Sequence, residues 1–489
     1  MSDPFALYPL AVAAGGGRVD GHDGARLVMA GFALLRASAP LARALVGRRA
    51  AILLPTSHQF VTALAASDGR GAVLINPLAS PREIAFQVAE ANVGALFTIG
   101  ALARRLPAGI AHVLLDDAPE RAIVHIDGVA SDVTLTGHET LRLDGDPGAE
   151  GRDDECAVVY TSAMRGTPLG AIATHRNLIS NARTARNAMG LGRDDHVFAV
   201  LPYSHLFGLT VTGGAPLMSG ARVTTMARFN PLKAAELLAT GGVTVFVGVP
   251  GTFRTVLTAI EQRGGSLHNT SIRLCICGGA VLPGDLQDRW AEETGVELRQ
   301  GYGLTEAGPV SLFNRVDLPN RRGTLGVPLP GVNVSLRAPL SDGDDPGTAP
   351  PGATPEVADG ADGEICVRGD NVGPGYVAKG HDGLVQREGW LYSGDRGRRN
   401  PDGTITFRGL YKAMFTRNGF NIYPREIEGA VRELTGVHSA TVRAIPDPTR
   451  EHDIGLDVTG TVSEADVKTW CESRLSAYKQ PSVVTVRSG

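Results

Sequence analysis

Residues 158–178 read VVYTSAMRGTPLGAIATHRNL. A β-branched run, VVYTS, predicts a strand, and the stretch SAMRGTPLG is a loop of small residues, Gly and Pro. The segment after the loop reads as a helix. A strand ending in Thr161 and Ser162, then Gly166, Thr167, Pro168 and Gly170, offers hydroxyls and backbone N–H groups in a tight space. Such concavities bind phosphate oxygens. The spacing is not that of G-x-x-x-x-G-K-[ST], and an ordinary strand-to-helix turn has the same composition.

Outward from this loop, the same alternation repeats. RAAILLP, GAVLINP, VGALFTI, HVLLDD, HVFAVLP, ARVTTM and VTVFVGVP read as short strands, with helix-like PREIAFQVAEAN and NPLKAAELLATGG among them. The second helix opens on Asn230 and Pro231, a cap and first-turn pair. Strand followed by helix, repeated, predicts an α/β fold with parallel sheets covered by helices. After about residue 330 the texture changes: 341–363 is rich in Pro, Gly and Asp and reads as an exposed loop, while VNVSLRA, GEICVRG and GTITFRG read as antiparallel strands. From Leu410 a small α+β unit begins, with a helix in NIYPREIEGAVRELTG that has Pro424 in its first turn and Gly436 as a stop, and a second helix in SEADVKTWCESRLSAY.

With 489 residues the chain has room for two to four units. Its 47 basic and 51 acidic side chains leave a net charge of −4 without long like-charge runs, which argues against nucleic acid as a partner. Five scattered cysteines (Cys156, Cys275, Cys277, Cys366, Cys471) suit buried thiols, not disulfides, and no second Cys/His pair follows Cys275 and Cys277 at zinc spacing. The N-terminus lacks a basic n-region, and the apolar segment 26–55 is broken by Arg36, Arg43, Arg48 and Arg49, so neither a signal peptide nor a membrane span is expected, and the cytoplasm is the expected location.

The sequence YTSAMRGTPLG resembles the Tyr-Thr-Ser-Gly-Thr-Thr-Gly-x-Pro-Lys-Gly signature of the adenylate-forming superfamily, which includes acyl- and aryl-CoA synthetases. Further segments resemble that family in the same order: LPYSHLFGL (201–209), IRLCICGGAVLP (272–283), QGYGLTEAGP (300–309), GWLYSGDRGRRNPDG (389–403) and NGFNIYPREIE (418–428). The resemblance covers roughly residues 25–489. It implies a large α/β N-terminal domain of several subdomains, 1–409, with parallel sheets and a small β-barrel-like part, and a small mobile α+β C-terminal lobe, 410–489.

The implied activity is ATP-dependent activation of a carboxylic acid to an acyl-adenylate, then transfer to a thiol, either CoA or the phosphopantetheine arm of a carrier protein. Tyr302, with Gly303 beside it, would stack on adenine, and Gly278, Gly279 and Ala280 would let the base approach the backbone. Asp395 would accept both ribose hydroxyls. Glu306, after Thr305, would ligate Mg2+ between phosphates. His205 would stand at the mouth of the acid pocket, and Thr161, Ser162, Gly166 and Thr167 would hold phosphate.

Three departures from the family pattern stand out. Ala163, Met164 and Arg165 replace Gly-Thr-Thr, and Leu169 replaces Lys; Arg165 is the candidate substitute cation. Leu410 and Ala413 fall where the family has a ribose-contacting Arg and an acid, with Arg408 as the candidate compensation; Lys412 falls on the hinge position. The family's catalytic lysine lies in a Gly-Lys pair beyond the AYKQPSVVTV type of segment, and the sequence reaches Gly489 before such a pair; Lys479 belongs to the earlier segment. Three readings remain open: a ligase with further sequence, a working variant with altered chemistry on an activated acid, or a non-catalytic nucleotide- or acyl-binding relative.

Overall fold

The computed structural model describes residues 7–487 apart from 68–70, 116–117, 119, 136–153, 162–167, 265–266, 269, 341–351, 379–383 and 412–413. Two nine-stranded sheets dominate. In the first, the order runs Gly375–Tyr376, Leu169–Thr174, Glu155–Thr161, Ala72–Leu74, Arg49–Leu53, Val93–Thr98, Ala111–Leu115, Arg121–Ile126, Val129–Thr134, parallel from Glu155–Thr161 to Ala111–Leu115 and antiparallel at both edges. In the second, Leu298–Tyr302, Leu274–Cys277, Val245–Gly248, His196–Ala199, Arg222–Thr225 and Arg18–Val19 lie parallel, the short Leu312–Phe313 and Val327–Pro328 extend one edge antiparallel, and His22–Asp23 pairs antiparallel at the other edge.

Central parallel strands such as Val93–Thr98, Val245–Gly248 and Leu274–Cys277 are buried along their whole length, which is why they read as continuous apolar runs. One apolar cluster joins Ile52 and Phe97 of the first sheet to Val197, Val245 and Ile276 of the second through Leu34, Phe60 and Leu178 on helices Gly24–Ala37, His58–Ala66 and His175–Ala188. Cys275 and Cys277 face a second cluster around Phe246, Phe253 and Trp290, where the Phe253 and Trp290 rings meet edge to face at 4.7 Å. All five cysteines are buried free thiols. Among the described residues no helix is long and apolar enough to cross a membrane.

The hairpin around the small-residue loop corrects the strand–loop–helix reading. Leu169–Thr174 does not enter a helix; it returns as a strand antiparallel to Glu155–Thr161, pairing Leu169 with Thr161 and Ala173 with Ala157. Its side chains are largely buried on both faces, so packing overrides the weak local preference of LGAIAT. The helix starts only at His175, with Thr174 and Asn177 capping each other's backbone N–H groups. The strand Leu169–Thr174 therefore separates the small-residue loop in the chain from the helix that begins at His175.

Next along the chain comes an antiparallel half-barrel: Val332–Arg337, Asp362–Gly369, Trp390–Arg399 and Gln386–Arg387 in order, with Ile405–Leu410 also paired to Trp390–Arg399. The last unit contains the hairpin Phe415–Arg417/Phe420–Ile422, a sheet of Val437–Asp447, Glu451–Gly460 and Val483–Arg487, and helices Pro424–Arg432 and Glu464–Arg474. Both helices end earlier than the sequence suggests. Gly436 lies in the turn after the first, at φ +94°, and Leu475 turns extended after the second.

This small lobe meets the large domain at a buried cation, beside an Arg82–Glu433 ion pair at 2.8 Å and the Ser80 hydroxyl donating to Arg474 O at 3.2 Å. Lys479, 5% exposed, reaches Glu426 of its own lobe at 2.6 Å and Glu83 of the large domain at 3.1 Å. Glu83 is already the capping-box residue of helix Pro81–Glu90, bound to the Ser80 N–H, and it also accepts from the Ser476 hydroxyl. Burial works against the ammonium, but Glu426, Tyr478 and Glu83 raise its pKa well above the ordinary lysine value. Burial likewise opposes ionisation of Glu83, and Lys479, Ser476 and Ser80 outweigh it to lower the carboxyl pKa. Stabilisation from Glu83 is complete above the ordinary carboxylate range and is lost as pH falls through its depressed pKa; that from Lys479 holds until pH rises through its raised pKa. Lys479→Met strands two buried carboxylates and should cost about 3–5 kcal/mol of stability, measured by urea denaturation, with faster protease cleavage between the units; Glu83→Gln in the same chain should recover part of the loss.

Candidate active site

A cavity of about 490 Å3 opens at the carboxyl ends of the second sheet's parallel strands, the usual ligand position in open α/β sheets. Gly278, Gly279 and Ala280 come from the turn after Leu274–Cys277, and Gln300 to Glu306 from the end of Leu298–Tyr302 and the turn beyond. Thr161 and Leu169 enter from the hairpin, Asp395, Phe407, Gly409 and Leu410 from the half-barrel, and Phe415, Thr416, Gly419 and His452 from the small lobe.

Backbone approach is built in at two glycines. Gly279 has φ +76°, which side-chain-bearing residues rarely adopt, and a Cβ on Gly303 would stand 1.7 Å from the Pro309 carbonyl oxygen. Beside them, Tyr302 lines the cavity while its hydroxyl donates to Asp395 Oδ2 at 2.7 Å. Burial and the adjoining Asp395 carboxylate push the phenol pKa well above its ordinary value, so the phenol is a permanent donor.

Glu306 stands on a single helical turn, Thr305–Ala307, fixed from three sides. The Asn371 side-chain amide donates to Ala307 O at 2.9 Å, Gly373 N–H to Glu306 O at 2.9 Å, and the Tyr376 hydroxyl to Glu306 Oε1 at 2.8 Å. Asn177, on the helix after the hairpin, ties the Asp370 and Val372 carbonyls behind this turn. Tyr376 also accepts from Leu384 N–H at 2.9 Å, and its strand pairs with Leu169–Thr174 through Ala171. Tyr376 thus links the strand Leu169–Thr174 to the Glu306 carboxylate. Sequence reading missed it, and the only local signal is an aromatic residue after the Gly-Pro-Gly turn.

His205 faces the cavity with its protonation fixed by the chain. Phe207 N–H donates to Nδ1 at 3.2 Å, so the neutral ring carries its proton on Nε2. Burial lowers its pKa to about 4, leaving it a neutral donor at working pH. Ala185, Met189, Val211, Ile276, Val310 and Phe313 form an apolar wall of the same cavity. Val211 belongs to the π-helical segment Gly208–Gly214, a form concentrated at functional sites.

The cavity brings together Thr161, His205, Gly278, Gly279, Ala280, Tyr302, Gly303, Thr305, Glu306 and Asp395. Ser162, Arg165, Gly166, Thr167 and Lys412 lie outside the described residues. Arg408 is a correction: Phe407 and Gly409 line the cavity, and the intervening Arg408, at a bulge in the pairing, turns its guanidinium to Asp362 at 3.7 Å, beside Arg396 and Arg398. Leu410, next along the strand but one, presents an apolar side chain to the cavity. Lys479 is likewise committed to its two carboxylates. Tyr302→Phe removes a donor from the buried Asp395 and should lower stability by about 1–3 kcal/mol, read by urea denaturation.

Comparison with known proteins agrees with this geometry. Residues 33–377 match the family of AMP-binding enzymes. Among curated relatives, a long-chain-fatty-acid–CoA ligase from Bacillus subtilis is 26% identical over 475 residues, 90% of this chain and 82% of the relative. A feruloyl-CoA synthase from Amycolatopsis is 32% identical over 341 residues, 68% of this chain and 66% of the relative. Among solved structures, a malonyl-CoA ligase with methylmalonyl-CoA and AMP bound superposes with a TM-score of 0.76 at 26% identity, covering 99% of this chain and 98% of that one. An o-succinylbenzoate CoA synthetase from Bacillus subtilis gives 0.78 at 22%, over 99% and 95%. The chain belongs to the AMP-binding enzymes of the adenylate-forming superfamily.

Proposed function

We propose that the protein is an AMP-forming acid–CoA ligase whose acid carries an uncharged, apolar tail. The observation that carries this is the cavity's division. One set of lining residues offers Gly278–Ala280, Tyr302, Thr305, Glu306 and Asp395, while a second set, Ala185, Met189, Val211, Ile276, Val310 and Phe313, belongs to one apolar cluster. Among the described lining residues there is no Lys or Arg. A second carboxylate on the acid would be desolvated there without a counter-ion.

In this reading the adenine lies against Gly278–Ala280 and the Tyr302 ring, and the ribose hydroxyls meet Asp395, which Tyr302 holds in place. Ser162, Arg165, Gly166 and Thr167 take the outer phosphates with Thr161. The donor set suits a hard cation: Glu306 offers a carboxylate, Thr305 a hydroxyl, and Tyr376 orients the former. Bound Mg2+ supplies positive charge that offsets the charge gathering on the phosphates as the α-phosphate is attacked. His205 Nε2–H donates into the cavity, where it can hold an oxygen of the acid's carboxylate. Residues 410–489 act as the moving unit, with Lys412 at the hinge, and present the acceptor thiol; CoA is the favoured acceptor, as named for the relatives, and a carrier-bound phosphopantetheine is the alternative.

The test is acid-dependent exchange of labelled pyrophosphate into ATP, followed by thioester formation with CoA. Aliphatic and aryl monocarboxylates should support both, and dicarboxylates of equal length should support them at least about tenfold less, the desolvated second charge lacking a partner. Glu306→Gln should lower turnover by about 100-fold or more while nucleotide affinity falls far less; equal losses contradict the metal-ligand role. Tyr376→Phe should raise the Mg2+ concentration needed for half-maximal exchange several-fold.

A further inference from the structure

The reaction proposed above needs a proton acceptor for the incoming thiol, because the thiolate and not the thiol is the nucleophile. Four described side chains lining the cavity can in principle accept a proton: Glu306, Asp395, His205 and His452. In the reading above Glu306 serves the metal and Asp395 the ribose hydroxyls, and each is held by a tyrosine hydroxyl, at 2.8 and 2.7 Å. His205 has its Nδ1 lone pair occupied by Phe207 N–H and carries a proton on Nε2, so it offers a donor and no acceptor.

His452 has the opposite arrangement. Its Nδ1 stands 3.1 Å from the Thr416 carbonyl oxygen, which can only accept, so Nδ1 bears the proton and Nε2 keeps the lone pair. The ring packs edge to face on Phe415 at 5.6 Å, and both Phe415 and Thr416 line the same cavity. These residues belong to the small lobe. The hairpin that fixes His452 also lays Gly419 against the nucleotide side of the cavity: a Cβ on Gly279 would stand 3.8 Å from Gly419 O.

We infer that His452 is the general base of the thioester-forming step, brought to the cavity by the docked small lobe and held in the accepting tautomer by Thr416. The inference rests on the ligase reading. His452 Nε2 takes the proton from the thiol as sulfur forms its bond to the acyl carbonyl carbon. The bond from that carbon to the phosphate oxygen then breaks, AMP leaves with the electron pair, and the imidazolium passes its proton to solvent.

Glu451 precedes His452 and interacts with it electrostatically; Glu451 accepts from Gly419 N–H at 3.0 Å, and burial raises its pKa. Asp453, on the other side, is taken up by Arg417 at 2.7 Å and by Arg450 at 3.6 Å.

The test uses the full chain with a synthetic acyl-adenylate and CoA, following single-turnover thioester formation from about pH 5.5 to 9.5, a span that brackets the histidine and thiol ranges. In the unsubstituted protein the rate should exceed that of His452→Gln most at the acidic end of the span, where little free thiolate exists. His452→Gln should lose about 100-fold at about pH 7, general-base catalysis being worth roughly 100- to 10,000-fold. Its remaining rate should rise about tenfold per pH unit towards the thiol pKa near about 8.5. Imidazole should rescue His452→Ala in proportion to the free-base concentration, a response that a packing role does not give. Pyrophosphate exchange in the same variants reports on the separate adenylation step and on folding. A His452→Gln profile that parallels the unsubstituted one, or a loss that imidazole does not relieve, overturns the assignment. If the unsubstituted protein forms no thioester at any pH although exchange proceeds, the thiol-transfer reading fails and the role of His452 fails with it.

Discussion

A buried ammonium, Lys479, anchors the contact on which one wall of the site depends. Clasped by Glu83 of the large domain and Glu426 of the small lobe, it joins the two beside the Arg82–Glu433 pair and the Ser80–Arg474 hydrogen bond. Without that docking the cavity would lose the wall formed by Phe415, Thr416, Gly419 and His452. The arrangement is electrostatically demanding, since three ionised groups are withdrawn from water together and each needs the others. The Ser80 and Ser476 hydrogen bonds to Glu83 fix one corner of it.

Within the cavity, polarity is sorted by the fold. Residues at the ends of the parallel strands and on the half-barrel supply oxygen ligands and a permanent phenol donor, while the helix His175–Ala188, the π-helical turn and the neighbouring strands supply the apolar wall. The two histidines carry complementary protons: the chain makes His205 a donor at Nε2 and His452 an acceptor there. Such fixed donors and acceptors act strongly because little reorganisation is needed when charge develops.

Much of this was legible in the sequence. The apolar runs at Val93–Thr98, Val245–Gly248 and Leu274–Cys277 are strands buried on both faces, and the ordered motifs around Gly278, Tyr302, Glu306 and Asp395 converge on one cavity. What escaped depends on contacts distant in the chain. LGAIAT forms a strand because it pairs with its predecessor, which no local propensity announces. Arg408 points away because strand alternation gives the cavity to Phe407 and Gly409. Lys479 and Glu83 are 396 residues apart, Tyr376 and Glu306 70, and His452 and Thr416 36, so none of these pairs has a sequence spacing to betray it.

The central claim is that one cavity orders adenine, ribose and an apolar acyl tail in line. The most direct measurement is a crystal structure with a non-hydrolysable acyl-sulfamoyladenosine. The expected result is adenine along Gly278–Ala280, the ribose hydroxyls on Asp395 and the acyl chain against Met189 and Phe313. A nucleotide bound elsewhere, or an acyl chain directed to solvent with that wall empty, would contradict it.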